Sequence, residues 1–337
     1  MYLGPSWQSR SEAEKSAERA RLRKLADAQE QLMRERGARK EEAEFSRLKI
    51  KYKATKHQDS LSASLLYSIL KKIELGEPLS VLNINWLSRQ GLSETIFIYE
   101  NSRHFATLKY KYGVSDYRDK SPSSPLYAIL QKFEKKERLE PRDIAWLTQK
   151  NLFYWDRKIA TEYHTLEALF YEQGFERTNN KWHLPSASSH WRKAGKPQRA
   201  LQLTENLDWD RVKDKKLKSV LLTTRGGAFR DIQKLDKAEE CARQAIEYQP
   251  GSHHPYTLMG AICYERGEYS KGDHWFEEAI KRGASPKDQD AEIKRVIGAA
   301  KDENKRREVV EYLLKKDPMR YAWAKSYHKK NPKNKGR

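Results

Sequence analysis

The sequence predicts an all-α fold, a helical repeat protein, on three observations. Residues Ser11 to Tyr52 hold no proline and one glycine, Gly37, and are rich in the good helix formers Ala, Glu, Arg, Lys and Leu. The middle of the chain matches itself without a gap when shifted by 60 residues, which marks a stacked architecture. A large doubly wound α/β enzyme would show apolar strand runs, and this chain has none.

Composition narrows the class further. A length of 337 residues suggests two or three units. Charged residues make up 34% and hydrophobic ones 37%, and no stretch approaches the ~20 apolar residues that span a bilayer. No membrane association is therefore expected. The 67 Lys/Arg against 47 Asp/Glu leave a net charge of +20, which favours polyanionic partners. Two cysteines, Cys241 and Cys263, exclude a cysteine-rich metal site or a disulfide scaffold. The opening residues show no apolar h-region, so no secretory signal is expected. The expected location is cytoplasmic, or nuclear or nucleoid if the partner is DNA.

The first element, residues 1–44, reads as a long charged helical arm. Ser11 followed by Glu14 fits a capping box. Ala17, Ala20, Leu22, Leu25, Ala28, Leu32 and Met33 make a narrow stripe in which no heptad holds for long. Two uses stay open: a solvated helix with i,i+4 ion pairs, or an arm that docks on a partner or a phosphate backbone.

Residues 45–180 read as two to three 60-residue helical units. Between 45–94 and 105–154, 19 of 50 positions are identical. Leu66, Ile69 and Leu70 fall on one helical face, as do Leu126, Ile129 and Leu130. Asn83 or Asp143 could cap a short helix carrying Trp86 or Trp146. Gly91 or Asn151 could end that helix in a left-handed conformation. A longer helix is expected from about Ser93 to Tyr112, and its equivalent from about Phe153 to Gln173.

The repeat also keeps basic residues. Lys49 and Lys51 beside Tyr52 recur as Lys109 and Lys111 beside Tyr112. Lysines are rarely needed in a core, so these form two candidate phosphate-contacting patches; a solvated face is the alternative. Trp86 and Trp146 read as helix packing, with base stacking as the other possibility.

The C-terminal third resembles the tetratricopeptide repeat family. Tyr256, Met259, Gly260 and Cys263 are followed by Gly272, Phe276, Ala279 and Ala284; 34 residues earlier stand Leu222, Gly226, Phe229, Ala238, Ala242, Ala245 and Pro250. A third unit has Ile293, Ile297, Val310, Leu313 and Pro318, but Lys294 and Arg306 replace its small residues, as in a degenerate or capping repeat. The resemblance spans about residues 186–320. It implies a TPR-like α-solenoid that holds a protein segment in a groove lined by first helices. By position that groove would include Thr223, Arg230, His254, Thr257, Ala261, Tyr264 and Glu265.

Basic residues concentrate in two more places. Residues 181–220 include Arg192, Lys193, Arg211, Lys213, Lys215, Lys216 and Lys218, a second candidate contact with nucleic acid. The tail, 321–337, is basic and is expected to be disordered. For catalysis the chain shows no nucleophile elbow, His-Glu-x-x-His, P-loop or dinucleotide fingerprint. His253 and His254 have no further ligand at metal spacing. Glu162, His164, Glu167 and Glu172 share one predicted helix without a recognisable metal pattern.

The expectation is a non-catalytic subunit, without cofactor or metal, that binds nucleic acid (DNA or RNA) and docks a protein partner. It would serve in a ribonucleoprotein or DNA-processing complex. The alternative is a protein–protein adaptor or scaffold with no nucleic-acid contact.

Overall fold

A computed structural model describes residues 11–59, 64–118, 121–155, 157–300 and 302–328. Among them every regular element is a helix. The chain divides into two compact units, 1–130 and 131–337, with the division inside one helix, Pro125–Glu134.

Helix α1 spans Glu12–Lys51, and Ser11 caps it in a box with Glu14: each backbone N–H is met by the other's side chain. Residues 11–43 contain no buried side chain; burial begins at Phe45 and Leu48. There α1 joins α2 (Leu65–Leu75), α3 (Val81–Arg89) and α4 (Ser93–Lys111) around Leu66, Ile69, Leu70, Leu87 and Tyr99. Trp86 lies half-buried against this core, its ring 5.6 Å from that of His57.

The 60-residue period is physical as well as sequential. Helix α5 (Pro125–Glu134) and α6 (Pro141–Gln149) repeat α2 and α3, and α4 ends at Lys111 where α1 ends at Lys51. Exposure along 81–90 matches that along 141–150 residue for residue, with Leu87 and Leu147 buried. Left-handed turns recur in the same register. Lys53 and Gly113, Gly76 and Lys136, and Gly91 and Asn151 all have φ between 56° and 78°. Each turn thus needs a positive φ, which glycine adopts freely and lysine or asparagine at a small cost. One expectation is corrected. Asn83 and Asp143 do not cap the short helices; Ser80 and Glu140 occupy the cap positions. Asn83 and Asp143 sit three residues on, accepting the cap residues' backbone N–H at 3.3 and 3.1 Å.

Unit two continues with α7 (Leu152–Trp155), α8 (Arg157–Thr178), α9 (His183–Lys193) and α10 (Pro197–Gln202). Helix pairs follow: α11 (Lys215–Asp231) with α12 (Leu235–Tyr248), α13 (His253–Arg266) with α14 (Tyr269–Lys281), and α15 (Pro286–Ala299) with α16 (Glu303–Lys316). Small residues set how closely the helices approach. A Cβ on Gly226 would stand 2.9 Å from Leu258 and 3.0 Å from Cys241, and one on Gly260 would stand 2.8 Å from the Phe276 ring. Ala238, Ala242 and Ala245 are fully buried. The architecture is a multi-helix all-α fold of helical-repeat type. Of the stretch expected to be disordered, Tyr321 and Ala324 are buried beside α16, and α17 covers Lys325–His328; residues 329–337 lie outside the described residues. No described helix is long and apolar enough to cross a membrane.

Candidate functional site

The repeated lysines are engaged with their own unit. Lys49 Nζ donates to the carbonyls of His57 (2.6 Å) and Asp59 (2.9 Å), and lies 5.4 Å from the centre of the Phe45 ring. Lys109 is buried, donates to the Tyr117 carbonyl and lies 5.5 Å from the Phe105 ring. Both thus tie the segment after a long helix back onto that helix. A buried ammonium must be hydrogen-bonded, and these carbonyls meet the need.

Lys51 and Tyr52 converge on Glu74, at 2.5 and 2.6 Å, with Arg47 at 3.2 Å. Burial would raise the Glu74 carboxyl, but bonds from Lys51, Tyr52 and Arg47 outweigh it and hold it at about 2. Burial and the same carboxylate push the Tyr52 phenol up. Tyr112 is buried as Tyr52 is, with the Lys111 ammonium 5.5 Å from its ring centre.

The cluster in unit two faces outward. Asp214 caps α11 by accepting from the backbone of Lys216 and Leu217. Lys215 and Lys216 then occupy the first turn, where no acid is present. Lys213, Lys215, Lys216 and Lys193 are exposed. Lys218 lies 4.7 Å from the Tyr248 ring. Arg211 pairs with Asp208 at 3.0 Å, both exposed. Lysines at a helix N-terminus add to the positive end of the helix dipole instead of offsetting it. Arg192 differs: it pairs with Asp231 at 2.7 Å and lies against Gly227, leaving no room there for a Cβ.

The residues placed on the partner groove divide in the same way. Tyr264 is 1% exposed and its hydroxyl donates to Asp273 at 2.8 Å; Ala261 is fully buried. Neither presents a side chain to a ligand. Arg230 is buried between Glu265 and Glu292, at 2.6 Å from each. Burial alone would lower its pKa, but the two carboxylates outweigh that and raise it. Thr223 and Thr257 are half-buried and their hydroxyls donate to the Ser219 and His253 carbonyls one turn back, whereas His254 is exposed. Burial and neighbouring His253 lower the His254 pKa.

Sequence reasoning missed the charged ladder that crosses the first helices. Asp231 of α11 bridges Arg192 of α9 and Arg295 of α15, and Arg230 bridges Glu265 of α13 and Glu292 of α15. It also missed the contact between α8 and α9, where His164 and His190 approach at 3.1 Å between Nδ1 atoms. Arg138 grips Glu167 there with two bonds, at 2.9 and 2.8 Å. Local patterning carries no trace of partners 26 to 64 residues away. Among the described residues no group of three His, Cys, Asp or Glu could hold a metal ion. No protein-family model matches the chain, and no curated protein matches it significantly.

Proposed function

We propose that this protein is a non-catalytic, nucleic-acid-binding helical-repeat subunit whose C-terminal helix pairs are TPR-like and dock a protein partner. One observation carries the reading: Lys213, Lys215 and Lys216 gather exposed around the start of α11, where their ammonium groups together attract an anion. Phosphate contact is the natural use of such a patch. The second helices of the pairs begin at Leu235, Tyr269 and Glu303, a spacing that fits the tetratricopeptide resemblance. A second reading, an adaptor without nucleic-acid contact, draws support from Lys49, Lys51, Lys109 and Arg192, whose charges already have partners within the chain.

Fluorescence polarisation with single- and double-stranded DNA and RNA, at two salt concentrations, separates the readings. Binding should weaken steeply with salt. Replacing Lys213, Lys215 and Lys216 with Gln should weaken it and lower the log–log salt slope by roughly 0.7–0.9 per lost contact. Absence of binding at low salt would leave the adaptor.

A further inference from the structure

Helix α1 stands clear of its own unit for most of its length. From Ser11 to Ala43 nothing is buried, which at ~1.5 Å per residue is roughly 50 Å of helix. Residues 12–44 hold nine Lys/Arg and nine Asp/Glu. The arm is therefore neutral, and the basic surplus of residues 1–60 falls outside it. A phosphate backbone is a poor match for such a helix.

One face is better explained by another helix. At 100° per residue it reads Glu18, Leu22, Leu25, Gln29, Leu32 and Arg36. The three leucines are 46%, 53% and 48% exposed. Phe45 and Leu48, through which α1 packs on its unit, lie on roughly the opposite side. The stripe is acidic at its N-terminal end, apolar in the middle and basic at its C-terminal end. It spans about two heptads, enough for a short seam.

We infer that this face pairs antiparallel with the same face of a second copy of the chain. In that register Leu22 meets Leu32, Leu25 meets Gln29, and Glu18 meets Arg36. Two-fold symmetry makes each of these contacts twice. Charge complementarity fixes the direction, because a parallel pairing would set Glu18 on Glu18 and Arg36 on Arg36, which is repulsive.

Cysteine cross-linking of the full chain tests this directly. The native thiols, Cys241 and Cys263, are both buried, so an engineered thiol on α1 reports alone. Leu22→Cys and Leu32→Cys proteins should form a disulfide-linked dimer when mixed under mild oxidation, and little when either is oxidised by itself. Light scattering should show a concentration-dependent dimer. Glu18→Arg should weaken it roughly tenfold, since two ion pairs become two repulsions, and Arg36→Glu in the same chain should restore it. A monomer at high micromolar concentration with no mixed cross-link overturns the inference. So does efficient cross-linking of the Leu22→Cys protein with itself.

Discussion

The 60-residue repeat and the C-terminal helix pairs use polar side chains against different problems. In the repeat, a long helix is followed by a non-helical stretch of turns, residues 52–59 after α1. Lys49 reaches over to hold that segment by its carbonyls, and Tyr99 accepts the Leu79 N–H at 2.7 Å to hold the next one. The C-terminal pairs have short turns such as 232–234 and 267–268. Nothing there needs tying down, and the polar groups instead join one pair to the next, through Arg230 and Asp231. Lys213, Lys215 and Lys216, by contrast, are exposed and belong to neither task.

The comparison breaks most visibly at Arg230. Its side chain is 4% exposed between two carboxylates. Arg230→Met removes the cation that Glu265 and Glu292 share, leaving Arg295 at 3.8 Å as a more distant partner of Glu292. Losing one partner of a buried pair costs about 3 kcal/mol or more. Chemical denaturation should show that loss in the transition of unit two. A loss below about 1 kcal/mol would mean that the ladder is not what joins the pairs.

The lysines sharpen the contrast at a smaller scale. Lys49→Met removes the hydrogen bonds that Lys49 gives to the His57 and Asp59 carbonyls, and Lys109→Met removes the one that Lys109 gives to Tyr117. Each should cost about 1–2 kcal/mol. Lys215→Met, at an exposed site, should stay within about 0.5 kcal/mol. In the binding titration the order reverses: changes at 213, 215 and 216 should matter and the Lys49 change should not. Equal stability losses at Lys49 and Lys215 would erase the distinction between fold lysines and surface lysines.

Much of the fold was legible because it is local or periodic. The Ser11–Glu14 box needs only adjacent residues, and Gly91 and Asn151 announce left-handed turns by their chemistry. The 60-residue period was legible because the core positions Phe45, Leu66, Leu87 and their counterparts recur. The use of each recurring lysine was not. Lys49 and Lys109 recur for the same reason a core residue does, as parts of the unit's own packing, and sequence alone reads a recurring charge as surface. Tyr264 misled similarly. An aromatic on a first helix looks like a groove residue until Asp273, on the second helix, is found to receive its hydroxyl.

The smallest effect is expected at the α8–α9 contact, and it is tuned by pH. His164 of α8 and His190 of α9 share a hydrogen bond at 3.1 Å, so one imidazole must donate and the other accept. Burial, the neighbouring His190 and Lys193 push the His164 pKa down to about 4, against a smaller opposing pull from Glu167. Burial and Lys193 lower His190 as well. In the unfolded chain a histidine titrates near 6.5. Between about 6.5 and 4 the unfolded chain therefore binds more protons than the folded one, and stability falls as pH falls through that window. The contribution is complete above about pH 6.5. Because both rings are partly solvated, the change should stay near or below 1 kcal/mol. Glu74 loses its own contribution only below about 4.3, the ordinary carboxylate value, so a scan from pH 7 to 5 isolates the histidines. His164→Gln should flatten the part of that slope due to this residue while leaving stability at pH 7 little changed. An unaltered slope in that variant would show that the α8–α9 contact titrates through other groups.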